Sequence, residues 1–278
     1  MKQMIEESIE ANMMLEENNV GTGNKIGISG STLKLIAIIS MLIDHRGAVV
    51  VLRMVLENAA GTGIILGDGM LELYHILRDI GRLAFPIYCF LLVEGFQRTH
   101  NKAQYAFRLG AFSLISEIPF DLAFSSQLLE FCYQNVFFTL FIGLVTMIAV
   151  DAVEKNVQTV LSEKSNKALK ITGYLIELVL VTAGAYGAEL LRTDYGAKGV
   201  LCILILYIFR RVKVLQMVIG GISFYWGGVA PFAFIPIAFY NGKRGLRLKY
   251  VFYLFYPIHL LVLYAVCVVL GLGGYAVV

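Results

Sequence analysis

Near the far end of the apolar run LKLIAIISMLIDHRGAVVVL, residues 33–52, stand three adjacent ionisable residues, Asp44, His45 and Arg46. An imidazole takes and returns a proton near neutral pH, which makes His45 the candidate catalytic base. Asp44 is the second catalytic candidate. It either orients the His45 ring and holds its imidazolium, or pairs with Arg46 or Arg53, because neighbours on a helix point about 100° apart. Lys34 precedes His45 by 11 residues. That is about three helical turns, so the two share a face about 16 Å apart along the axis.

Other charged and polar residues interrupt apolar stretches, and a charge in a membrane span is a functional candidate by default. GRLAFPIYCFLLVEGF carries Arg82 at one end and Glu94 at the other. Arg82 reads either as an outer arginine beside the kink at Pro86 or as an interior partner of Asp44 or Glu94. In SLISEIPFDLAF, Glu117 and Asp121 are four apart and stack on one helical face, although Pro119 between them should kink or end the helix. Two such carboxylates suit an amine or a cation, and equally a solvated helix end. Gln134 and Asn135 open the next apolar run, placed to cap it or to orient an acceptor. In YLFYPIHLL, Tyr256 and His259 flank Pro257. His75 and His100 read as loop residues.

These residues need a scaffold, and the composition restricts it. Of 278 residues, 58% are hydrophobic and 15% charged, with a mean hydropathy of +0.73. A soluble domain does not have that composition. About 20 apolar residues span the hydrocarbon as a helix, and apolar windows fall near 33–56, 80–97, 106–124, 133–152, 170–190, 198–210, 214–240 and 250–272. The expected fold is therefore all-α, a polytopic membrane helical bundle. The window 214–240 is too long for one crossing and too short for two. Basic groups at Arg98/Lys102, at Lys155/Lys164/Lys167/Lys170, at Arg210/Arg211/Lys213 and at Lys243/Arg244/Arg247/Lys249 all face the cytoplasm only if this window enters and returns. That predicts a short or re-entrant pair broken around Gly227–Pro231, about nine transmembrane segments, a cytoplasmic N-terminus and loops 57–79, 125–132 and 191–197 outside.

Residues 1–32 read as an acidic cytoplasmic tail and linker, with two lysines against five glutamates, and residues 33–278 as one transmembrane domain. The basic n-region of a signal peptide is absent. Cys89, Cys132, Cys202 and Cys267 stand singly, without C-x-x-C spacing, and read as small hydrophobes with no metal site. After Asp194 there is no further acidic residue. The basic loops beyond it are explained by topology alone, or by a phosphorylated cytoplasmic ligand.

The segments LKLIAIISMLIDHRGA, GRLAFPIYCFLLVEGF, LISEIPFDLAF, QNVFFTL, FIPIAFYNGKRG and YLFYPIHLL resemble the TraX family in order and spacing, over about residues 33–265. That family is associated with acetylation of the pilin N-terminus and looks related to the membrane acyltransferase-3 group, whose first helix carries Arg or Lys, ten residues, then His. Lys34 and His45 match that spacing. The resemblance implies acetyl transfer from acetyl-CoA, bound on the cytoplasmic side of the bacterial inner membrane, to an amine or hydroxyl of a peptide, glycan or small molecule. His45 would act as general base or carry the acyl group. Lys34, Arg210, Arg211, Lys213, Lys243 and Arg244 would hold the donor's phosphates, and Arg82, Glu94, Glu117, Asp121, Gln134, Asn135 and His259 would line the acceptor path. The implied partners are membrane lipids and the acceptor, with no nucleic acid. A proton-coupled transporter with an Asp/His/Glu relay is the alternative, and a non-enzymatic assembly partner is a third reading.

Overall fold

A computed structural model describes residues 27–59, 69–163, 167–246, 249–272, 274, 276 and 277. Most of the acidic tail, residues 1–26, lies outside the described residues.

The first helix, α1, begins at Gly30 behind the N-cap Ser29, whose hydroxyl accepts from the Thr32 amide. It runs as α-helix over Gly30–His45, widens into a π-helix over Arg46–Val51, and resumes over Leu52–Ala59. α2 spans Gly69–Gly81 and α3 Ala84–Arg98, separated by a break at Arg82–Leu83. α4 covers Lys102–Ser125, capped by Asn101, and α5 covers Val136–Glu163. α6 spans Lys167–Leu190 and α7 Gly196–Ile208. α8, Lys213–Ser223, gives way to 3-10 turns at Tyr225–Gly227 and Ala230–Ala233 and then to the five-residue α9, Phe234–Ala238. The helical path thus breaks where Gly227–Pro231 was expected to break it. α10 spans Lys249–Val269.

Pro119 neither ends nor divides α4, which stays helical on both sides of it. Prolines are tolerated inside membrane helices because neighbouring helices re-satisfy the freed backbone groups. His75 lies within α2 rather than in a loop.

Among the described residues, four helices are long and apolar enough to cross a membrane: Gly30–Glu57, Val136–Val160, Lys167–Leu190 and Val251–Val269, with shorter apolar helices at Gly196–Ile208 and Lys213–Ser223. α6 makes the membrane assignment physical, because Ile171, Leu175, Leu178 and Val179 are all more than half exposed on it. So much contiguous apolar surface is costly in water and neutral in lipid.

α1 is the central strut. It packs against α2, α3 and α10, while α4 packs against α5 and α10. Its first turn is tied to the loop after α9. Gly30 N–H donates to the Lys243 carbonyl at 2.8 Å and Ser31 N–H to that of Arg244 at 3.0 Å, satisfying two of the donors a helix start leaves unpaired. This marks the starting end of the bundle. Further along, α2 lies very close to α1. Ser40 Oγ donates to the Ile80 carbonyl at 2.5 Å, and a Cβ on Gly81 would stand 2.1 Å from the Asp44 Cβ. Only glycine permits that approach.

Gly81→Ala should therefore force α1 and α2 apart and lower stability by about 1–3 kcal/mol. Gly187→Ala, whose added Cβ meets nothing within 4 Å, should leave it unchanged or slightly higher. Thermal unfolding of the two variants in detergent checks the contrast.

Candidate active site

The centre of the bundle holds a pair of histidines. His45, from the middle of α1, and His259, from α10, are both over nine-tenths buried. His45 Nδ1 lies 2.7 Å from His259 Nε2, and the rings are parallel within 5°. His259 Nδ1 in turn lies 2.7 Å from the carbonyl of Phe255. A carbonyl only accepts, so Nδ1 of His259 must carry the proton. A neutral His259 then offers a lone pair at Nε2, which obliges His45 Nδ1 to donate. The chain of bonds leaves His45 Nε2 as an unprotonated acceptor. Phe124 and Tyr256 press edge-on against His45 at 5.5 and 5.9 Å, and Phe255 stacks on His259 at 4.6 Å. These contacts hold the rings in that plane.

The π-helix starts immediately after His45. Such wide turns free backbone carbonyls and are frequent at functional sites. Val49 O, within it, accepts from Arg53 Nη1 at 3.4 Å and from Cys267 Sγ at 3.6 Å. Arg53 is fully buried and also donates to Ser126 Oγ at 2.9 Å.

Beside His45 Nε2 lies Asp44, its Oδ2 3.9 Å away, too far for a hydrogen bond. The carboxylate pairs instead with Arg78 Nη1 of α2 at 2.6 Å, not with Arg46 or Arg53. Arg46 is exposed. Asp194, whose carboxylate accepts from the Tyr133 hydroxyl, and Tyr195 lie within electrostatic reach of Arg78. Gln134 contributes through its backbone: its N–H donates to Arg192 O and its carbonyl accepts from the Asp194 N–H, binding the two loops together.

The carboxylates of α4 form a second polar region. Asn135 Nδ2 donates to Glu117 Oε2 and, at 2.9 Å, to Ser113 O, while Asn135 Oδ1 accepts from the Phe137 N–H and caps α5. Asp121 Oδ2 accepts from the Glu130 N–H at 2.9 Å. Ser116 Oγ, Glu117 Oε1 and Asp121 Oδ1 are buried without a hydrogen-bond partner among the described residues. Phe124, one turn beyond Asp121 on the same face, touches His45.

Arg82 and Glu94 do not meet. Arg82 is exposed, near Asp79 at 3.6 Å and the Gly227 carbonyl at 3.4 Å; Glu94 pairs with Arg98 at 2.9 Å. The basic residues divide into two places. At the starting end, Lys34 lies 5.3 Å over the Phe252 ring and within electrostatic reach of Arg244. Lys213 Nζ donates to Tyr240 O at 3.1 Å, and Arg98 Nη1 to Gly242 O at 2.7 Å. Lys243 and Arg244 are exposed in the same loop. Arg210 is elsewhere, bonded to Glu154 at 2.8 Å and stacked on Tyr207, and Arg211 lines a cleft with Lys170, Tyr174 and Glu177. Among the described residues no group of three or more His, Cys, Asp or Glu is arranged to hold a metal.

A polytopic helical membrane protein with a directed histidine pair at its centre is the class these features define. Residues 29–267 match the family model described as TraX protein, and the chain belongs to the TraX family. It is similar to the probable fimbrial assembly protein FimC, serogroup H1, of Dichelobacter nodosus, at 32% identity over 86% of this chain and 95% of that protein. No solved structure matches the chain.

The tautomers can be read directly. At mildly alkaline pH, nitrogen NMR of histidine-labelled protein should show His45 protonated at Nδ1 and bare at Nε2. His259→Phe should erase that preference, and a proton on Nε2 in the native protein would contradict the relay.

Proposed function

We propose that this TraX family member is an integral membrane acetyltransferase that moves an acetyl group from acetyl-CoA to an amine or hydroxyl acceptor, with His45 as general base. The observation that carries the reading is the directed pair: Phe255 O fixes His259, His259 fixes His45, and the lone pair at His45 Nε2 is free to take the acceptor's proton. His259 shares the resulting charge through the 2.7 Å bond, and Asp44, held by Arg78, stands 3.9 Å from Nε2.

The starting end suits the donor. Lys34, Lys213, Lys243 and Arg244, with Arg98, converge on the loop after α9, and phosphates require such cations. Donor phosphates held there leave the acetyl end to extend about 16 Å along α1, the Lys34 to His45 separation. Arg210 is committed to Glu154 and Arg211 sits apart from that loop, so they are outlying members of any phosphate site. Glu117, Asp121, Asn135, Gln134 and Arg82 lie toward the other end, on the acceptor side. The name of the Dichelobacter relative, a probable fimbrial assembly protein, favours a peptide acceptor such as a pilin N-terminus over a glycan or a small molecule.

In this reading residues 33–278 form the acyltransferase domain, crossing the bacterial inner membrane in about nine segments, with the acidic tail and the basic starting end in the cytoplasm. The positive-inside rule supports that orientation. A second reading, a proton-coupled transporter, draws support from the oxygens of Glu117 and Asp121 that are buried without a hydrogen-bond partner among the described residues, since a proton relay needs buried carboxylates as well as histidines.

Purified protein should hydrolyse acetyl-CoA slowly with water as acceptor, and His45→Ala should abolish turnover while the protein stays folded, with a lowered unfolding temperature, and still binds acetyl-CoA. Substrate-coupled proton flux in sealed vesicles without acetyl-CoA, together with no hydrolysis by the native protein, would move the transporter reading to the front.

A further inference from the structure

The sequence places no positive group next to His45 except Arg46, and Arg46 faces out of the bundle. The cation that stands beside Asp44 and His45 is Arg78. Its Nη1 lies 2.6 Å from Asp44 Oδ2, and the same oxygen lies 3.9 Å from His45 Nε2. The guanidinium nitrogen is thus no farther from the base than those two distances combined. Two neighbouring atoms of a reacting group, one about 3 Å from each nitrogen, would bridge that gap.

Several features serve to bring Arg78 here. The contact of Gly81 with Asp44 and the bond from Ser40 to Ile80 O press the end of α2 onto α1. Gly47, in the π-helix, admits Leu77, because a Cβ there would stand 2.9 Å from the Leu77 Cβ. Asp44 makes no hydrogen bond to the imidazole, whose orientation His259 already fixes. It bonds to Arg78 instead. The Arg78 side chain is still 35% exposed. A guanidinium carries five N–H donors, and exposing them to hydrocarbon is expensive. Its open side therefore faces water or substrate.

The geometry points to Arg78 as a further catalytic residue, which donates hydrogen bonds to the acetyl carbonyl oxygen as that oxygen gains charge, with Asp44 as the residue that positions it. This rests on the acyl-transfer reading. In the step, the acceptor's lone pair forms a bond to the acetyl carbon and the carbonyl π pair moves onto oxygen, where the Arg78 N–H groups stabilise it. His45 Nε2 takes the acceptor's proton. The oxygen's pair then returns, the carbon–sulfur bond breaks with its electrons on sulfur, and the proton passes from His45 to the leaving thiolate. No other reactant is required.

The test is acetyl-CoA hydrolysis by the full chain in detergent, with released CoA measured by chromatography. Removing one such donor typically costs about 10²–10³ in kcat. Arg78→Ala should show that fall with acetyl-CoA affinity within about twofold, and millimolar guanidinium should restore part of the rate. Arg78→Ala leaves Asp44 without its partner, so the double variant Asp44→Asn/Arg78→Ala, which removes that buried charge, guards against misfolding and should show the same fall. Arg46→Ala should match the native rate. A folded Arg78→Ala or double variant that keeps kcat within a few-fold of native, or a loss confined to KM, overturns the assignment and leaves His45 chemistry intact. A native protein that does not turn over acetyl-CoA, while His45→Ala behaves identically, overturns the acyl-transfer reading itself and this inference with it.

Discussion

Inside a membrane no water competes for hydrogen bonds, so every polar group kept at depth must find a partner in the protein or face a water-filled space. That constraint organises this molecule. His45 is tolerable at the centre of α1 because His259 Nε2 accepts a hydrogen bond from its Nδ1–H, and His259 is tolerable because the Phe255 carbonyl accepts one from the Nδ1–H of His259. Asp44 is tolerable because α2 delivers Arg78 to it. The helices lie where those partners require, and glycine appears at position 81, where α1 and α2 must nearly touch.

The same requirement shapes the ends of the bundle. Loops without regular structure bind one another through backbone bonds, as Gln134 does with Arg192 and Asp194, and as residues 239–244 do with the first turn of α1. The second of these ties joins the basic loop directly to the helix that carries His45. Rigid elements on either side of a site hold its groups more closely than flexible loops do.

Much of this was legible in the sequence because charged and polar residues in apolar runs are conspicuous. His45, Asp44, Glu117, Asp121, Asn135 and His259 all stood out that way. Their pairing did not, since no local rule relates residues 214 positions apart. Arg78 is inconspicuous in sequence because LELYHILRDIG mixes polar and apolar residues and reads as part of an outer loop, although it forms α2. Asp194 and Tyr133 lie in short connections and meet only through the folding of two loops together. The basic residues after Asp194 looked like one group in composition. Glu154, on a different helix, draws Arg210 away from the others. The helix break within 214–240 was readable from its glycines and proline, whereas the persistence of α4 through Pro119 depends on neighbours that sequence alone does not name.

The bond between His45 and His259 joins the first helix to the last. During synthesis α1 enters the bilayer long before α10 exists, and through that interval its imidazole has no partner to choose which nitrogen keeps the proton. The directed tautomer therefore appears only when the last helix has joined the bundle. Under the proposed function, chemical competence would be the final event of assembly, and a chain that stops short of α10 would carry the histidine without the chemistry.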